Sequence, residues 1–273
     1  MLVGSSHLLA LISAATTIAG EPAPDDETPT DFMWTERGVT SRRFALGEGD
    51  AQVRLRFHLL GGAAPSLCKQ LADGTTVVRD RYRDLLAGEP PELLVSTLGG
   101  NEHSIFSLYE HPVPFDVLAG ADDPGVGGDG PPRQIVPLEV VRRELRDRAE
   151  GLVRSCAALA ALLPTTEVVQ VMPPPPIADE AQIRRRPEVF VQVVEQFGVA
   201  PAPLRRKIYE IHEATLRDAL SGVGVRLLSA PSDACDDGYL AEPYWREATH
   251  ANTAYGRLVL EQLGLAGQRI GTA

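Results

Sequence analysis

Residues 93–98, Leu-Leu-Val-Ser-Thr-Leu, form a nearly unbroken apolar run that is too short for a helix and lacks the alternation of a half-exposed strand. Such a run suits a strand covered on both faces, as in a parallel sheet whose neighbouring strands are reached through helical crossovers. Residues 166–172 give a second strand of this buried type. Residues 52–60 alternate around Val53, Leu55, Phe57 and Leu59, while 2–3 and 225–228 supply two short strands. Between them, helical periodicity recurs at 8–19, 77–87, 138–163, 188–198, 204–220 and 253–263. The alternation predicts one three-layer α/β domain over 1–273, flavodoxin-like, with a mostly parallel five-stranded sheet and right-handed crossovers. Residues 20–50, rich in Pro, Asp, Glu, Thr and Gly, read as a surface excursion from it.

In an open sheet of this kind ligands bind beyond the carboxyl ends of the strands, so residues that follow strands are the candidates for chemistry. Gly4-Ser5-Ser6-His7 follows the first strand and precedes a helix. A strand-turn-helix lifts a serine hydroxyl clear of the sheet and leaves unpaired backbone N–H groups aimed at the same spot, although the same residues also make a plain helix cap. Gly99-Gly100-Asn101-Glu102-His103-Ser104 follows the 93–98 run, where an asparagine serves either as a turn former or as a donor. Glu247-Ala248-Thr249-His250 precedes the last helix, with a carboxylate placed to fix an imidazole.

Charge narrows the partners. With 26 Lys and Arg against 37 Asp and Glu the net charge is -11, which leaves no phosphate-tracking face for nucleic acid. The clusters at Arg184-Arg185-Arg186 and Arg205-Arg206-Lys207 read as solvated helix faces. No run reaches the roughly 18 apolar residues a membrane helix needs. Cys68, Cys156 and Cys235 have neither metal nor disulfide spacing, which fits a reducing, cytoplasmic setting. The apolar run to Ala19 has the shape of a secretory signal core, but no Lys or Arg precedes it. His103, His111, Asp116 and Glu102 match no zinc spacing, so neither metal nor cofactor is expected. His103 and His111 are instead expected at the substrate, and His58 and His212 in structural roles. The prolines at 173–176 read as a rigid exit from a strand, with a recognition segment as the alternative.

A serine after the first strand, an asparagine after a central one and an acid-x-x-His before the last helix together resemble the SGNH/GDSL hydrolase family. Gly4-Ser5-Ser6 stands where that family has Gly-Asp-Ser, with Ser5 replacing the aspartate and His7 where leucine is common. Gly99-Gly100-Asn101-Glu102 matches its Gly-x-Asn-Asp block, and Glu247-x-x-His250 its Asp-x-x-His. The resemblance implies that Ser6 is the nucleophile, His250 its base and Glu247 the acid that holds His250. It also implies an oxyanion hole made by Ser6 N–H, the Asn101 amide and a glycine N–H, from Gly74 or alternatively Gly61 or Gly62. The implied activity is an esterase cleaving an O-acyl ester of a carbohydrate or small metabolite through an acyl-Ser6 intermediate. An acyltransferase using the same residues, or a non-catalytic binding protein on this scaffold, are the alternatives.

Overall fold

The computed structural model describes residues 1–20, 39–47, 52–61, 66–118, 125 and 132–266. Its first half runs β1 (Leu2–Gly4), α1 (Leu8–Ile18), β2 (Val39–Leu46), β3 (Val53–Leu60), β4 (Cys68–Gln70), β5 (Thr76–Val78), α2 (Asp80–Ala87), β6 (Leu93–Thr97) and α3 (Glu102–Ser107). There follow β7 (Phe115–Val117), β8 (Gln134–Val136), α4 (Leu138–Leu162), β9 (Glu167–Val171), α5 (Glu180–Arg185), α6 (Val191–Phe197) and α7 (Ala202–Ser221). The chain closes with β10 (Arg226–Leu228), β11 (Cys235–Asp236), β12 (Tyr239–Leu240) and α8 (Thr253–Gln262).

The main sheet has the order β10-β9-β6-β1-β3-β2. All its pairs are parallel except β2 with β3. Numbered along the chain, the parallel strands lie in the flavodoxin-like order 2-1-3-4-5, and the winding reverses beside β1. The five parallel strands agree with the sequence reading; the sixth corrects it. β2 lies inside the expected surface excursion, yet it pairs with β3 from Val39 opposite Leu60 to Leu46 opposite Val53. Only Phe44 and Leu46 of this strand are buried, and its arginines and small polar residues hid the alternation of an edge strand. Residues 21–38 and 48–50 of the excursion lie outside the described residues.

Burial on both faces explains the unbroken apolar strands. Leu2, Val95, Val169 and Leu228 point to one face, where they meet α1 and α8. Val3, Leu94, Val168 and Leu227 point to the other, against α4 and α7. On the first face α1 and α8 touch backbone to backbone, since a Cβ added to Gly256 would lie 2.1 Å from the Ala10 carbonyl oxygen. Among the described residues no helix is long and apolar enough to cross a membrane. The three cysteines are unbridged.

Candidate active site

Ser6 stands at the carboxyl end of β1, next to the point where the sheet's winding reverses. Gly4 makes this possible: a Cβ there would fall 1.8 Å from Thr97 Oγ1 on the adjoining strand, so only glycine lets β1 and β6 approach. The turn closes through Leu8 N–H to Ser5 O (2.9 Å) and Leu9 N–H to Ser6 O (3.1 Å). His7, at the cap position of α1, makes no side-chain hydrogen bond to the helix.

On the neighbouring strand, Gly99 (φ 56°) and Gly100 (φ 96°) both take left-handed backbone, and a Cβ on Gly100 would meet the Pro173 ring at 2.9 Å. These two glycines turn the chain from β6 into α3 and leave Asn101 at its first position with no capping bond from its side chain. The turn is braced from behind. Gly100 O lies 3.2 Å from His103 Nδ1 and 3.1 Å from His212 Nε2, and Glu102 Oε2 lies 3.2 Å from His212 Nε2. His103 is buried against the rings of Tyr209 and His212, and this burial, then the neighbouring His212, hold its imidazole well below the usual range.

His250 comes from the loop ahead of α8. Its Nδ1 lies 2.8 Å from Glu188 Oε2 and 3.5 Å from Glu247 Oε2. Glu188 is further anchored by Thr249, whose N–H donates to Oε1 at 2.6 Å and whose hydroxyl lies 2.9 Å from Oε2. Burial pushes the Glu188 carboxyl up, but the His250 contact and the Thr249 donors outweigh it, and the net shift is below the ordinary carboxylate value. Glu188 also has φ 55°, a left-handed conformation uncommon for a residue with a side chain and characteristic of sites that the surroundings over-determine. The far side of the His250 ring carries Nε2, buried and without a hydrogen-bond partner.

His7 joins the pieces. Its ring packs on that of His250 with centroids 4.7 Å apart, and Asn101 lies near enough to act on its titration. The ring keeps a partly exposed edge, but its Nε2 is fully enclosed. Burial and then the charge of a protonated His250 lower its pKa to about 3, against a smaller upward push from Asn101. His7 is therefore a neutral imidazole at every physiological pH.

Ser6, His7, Thr97, Glu247, His250 and Tyr255 line one cavity of about 50 Å³ between the carboxyl edge of the sheet and the α1–α8 pair. Of the residues singled out in the sequence, Ser6, His250 and Glu247 thus line one cavity, while Asn101 is not part of its wall but lies near His7. Others do not. Gly74 sits on the β4–β5 turn in open space, with its N–H donated to Leu71 O at 3.0 Å, so the amide expected for the oxyanion is already used elsewhere. Gly61 follows β3, which flanks β1 with Leu59 opposite Gly4; Gly62 lies outside the described residues. His103 braces the Asn101 turn and lies off the cavity wall. His111 stacks on Tyr109 and meets Phe106 and Phe115 edgewise or tilted, likewise away from it. Glu188 escaped the sequence reading because it lies 62 residues from His250, inside a stretch that reads as an ordinary helix start. Glu188, Glu247 and His250 offer ligand atoms within 4.8 Å of one another, enough to meet at a cation, but both Glu188 oxygens already accept hydrogen bonds.

No family model matches the chain, and neither does any curated protein. Among solved structures it is similar to the lipopolysaccharide acetyltransferase periplasmic domain of Salmonella ser. Paratyphi A, at 10% identity over 96% of this chain and 80% of that one, with a TM-score of 0.46. It is also similar to a carbohydrate acetylesterase from Sinorhizobium meliloti, at 14% identity over 76% of each chain and a TM-score of 0.31. A third is an aryl esterase from M. smegmatis, at 13% identity over 96% of this chain and 95% of that one, with a TM-score of 0.34.

Proposed function

We propose that the protein is a serine-dependent ester hydrolase acting on an O-acyl ester of a carbohydrate or small metabolite. The observation that carries this reading is the two-sided environment of His250. A carboxylate on Nδ1 selects the tautomer with the proton there, which leaves a lone pair on a buried, unpartnered Nε2 in the cavity that Ser6 also lines. Ser6 Oγ then attacks the ester carbonyl carbon as its proton passes to His250 Nε2. The carbon–oxygen bond to the alcohol breaks, and the alcohol leaves with that proton. Water repeats the sequence on the acyl-Ser6 ester and returns the free acid; an alcohol in place of water makes the same intermediate a transfer reaction.

The oxyanion formed at each step is met in this reading by Ser6 N–H, Gly61 N–H and the Asn101 side-chain amide. Each such donor typically contributes about 2.7–4 kcal/mol to the transition state. Glu188 is the positioning residue for His250, and Glu247 a second, weaker carboxylate beside it. No hydrogen bond joins Ser6 Oγ to His250 Nε2. Such bonds commonly tighten only when substrate is bound.

Intact mass after incubation with a small fluorophosphonate tests the assignment. One adduct is expected on the wild type, none on Ser6→Ala, and a much slower one on His250→Ala. A folded wild type that takes no adduct would move the protein to the class of non-catalytic binding scaffolds.

A further inference from the structure

Among the described residues, ten buried side-chain polar atoms lack a hydrogen-bond partner, and half of them, on His7, Thr97, Asn101, His250 and Tyr255, are gathered at the candidate active site. Folded chains rarely leave buried polar atoms unpaired, so a cluster of them around one cavity marks where a ligand's own polar atoms go. The proposed chemistry uses His250 and Asn101, and His7 through its ring contact with His250. It gives no task to Thr97 Oγ1 or Tyr255 Oη.

Both residues line the same cavity. Thr97 lies on the same sheet face as Gly4 and Leu2, beside Gly4 on the adjoining strand, and Tyr255 reaches the cavity from α8. Both residues are nearly inaccessible, at 2% and 3% exposed. Besides the catalytic candidates, the wall carries apolar side chains from Ala10, Leu11, Val171 and Ala251. At about 50 Å³ the space holds roughly three to five water-sized groups, taking about 10–15 Å³ for each. That is too little for a sugar or a long acyl chain.

Resting on the reading of Ser6 as the acylated residue, we propose that this cavity is the acyl subsite and that it selects a short acyl group carrying a hydroxyl, a 2-hydroxyacyl group of two or three carbons. The acyl chain turns inward from Ser6, its methylene lies on the apolar wall, and its hydroxyl exchanges hydrogen bonds with Thr97 Oγ1 and Tyr255 Oη. The hydroxyl takes no part in bond making: the acyl group passes from the ester oxygen to Ser6 Oγ and then to water with this group unchanged. A site built to hydrogen-bond a hydroxyl discriminates strongly against the analogue that lacks one, because its own polar groups are then buried unpaired.

The test uses esters of one phenol with glycolic, propionic, acetic and hexanoic acids, the first two being nearly isosteric. Each kcat/KM is divided by the hydroxide-catalysed rate of the same ester. The normalised glycolate to propionate ratio is expected at about tenfold or more in the wild type, with hexanoate at least 100-fold below acetate. Tyr255→Phe and Thr97→Val are each expected to cut the glycolate preference at least threefold. Tyr255→Phe should not lower Tm, because the hydroxyl it removes has no partner in the folded protein. A wild-type ratio near one overturns the inference, as does a ratio unmoved in both variants or a Tm loss of several degrees in Tyr255→Phe. Fluorophosphonate labelling of the same samples separates the two levels. A labelled wild type without glycolate preference refutes the acyl selectivity alone, whereas an unlabelled, inactive one refutes the serine chemistry and this inference with it.

Discussion

Replacing Glu188 by glutamine tests the site where sequence and tertiary structure disagree most. The side chain is 12% exposed and receives His250 Nδ1 at 2.8 Å, with Thr249 donating to both oxygens. Glutamine keeps the volume but turns one acceptor into a donor. A buried hydrogen bond to a charged group contributes about 1.5–3 kcal/mol, and an amide N–H facing Nδ1 favours the tautomer protonated on Nε2, which cannot accept the Ser6 proton. Together these predict a fall in kcat of about 1,000- to 10,000-fold for Glu188→Gln, with KM little changed. Glu247 sits at 3.5 Å and is 28% exposed, so its coupling to His250 is about 0–1 kcal/mol and Glu247→Gln should cost no more than about fivefold. The assay is kcat and KM on an acetate ester between pH 5 and 9, with Tm of each variant as the folding control. Equal losses in the two variants, or a Glu188→Gln enzyme keeping more than a tenth of wild-type kcat, would refute the assignment of Glu188. The pH dependence of stability adds a check. A carboxyl held below its unfolded value contributes stability that is present above the ordinary carboxylate range and lost as pH falls through its folded value. Glu188→Gln should lack that acid-limb loss.

His7 is held neutral with a pKa of about 3, so its stabilising effect is complete above about pH 6.5 and declines as pH falls from there toward 3, by about 1.4 kcal/mol per pH unit. Urea titrations at pH 7.5 and 5.5 should show that decline, and His7→Leu should reduce it; an unchanged slope defeats the claim that His7 is buried neutral. Asn101→Ala should lower kcat about 100- to 1,000-fold with little effect on Tm. Gly100→Ala, forced onto left-handed backbone and against Pro173, should lower kcat in the same sense, and a purely KM effect would contradict the role of this turn. Gly256→Ala places a methyl 2.1 Å from a backbone oxygen of α1 and should destabilise by about 3 kcal/mol, a Tm loss on the order of 6–12 °C, read by thermal melts.

The sequence by itself determined what is local. A strand buried on both faces shows as an unbroken apolar run, and each site motif that was legible is a short contiguous string at a strand end or before a helix: Gly4 to Ser6, Gly99 to Asn101, Glu247 to His250. The parallel sheet and the meeting of Ser6 and His250 at its carboxyl edge follow from such local signals, because strand direction is implied by the helical crossovers. What tertiary structure decided depends on how loops pack on one another. Ala248 N–H donates to Arg186 O at 3.0 Å, Gln182 Nε2 to Arg246 O at 3.4 Å and Thr249 to Glu188, and these contacts hold Glu188 against His250 across 62 residues, ahead of the acid three positions away. The distance of Gly74 from the cavity turns on how the β4–β5 hairpin packs, and the placement of His103 and His111 on which side of the Asn101 turn each ring falls. β2 lacks a periodic apolar signal because an edge strand buries only part of one face, so its pairing with β3 is visible only once the sheet is assembled.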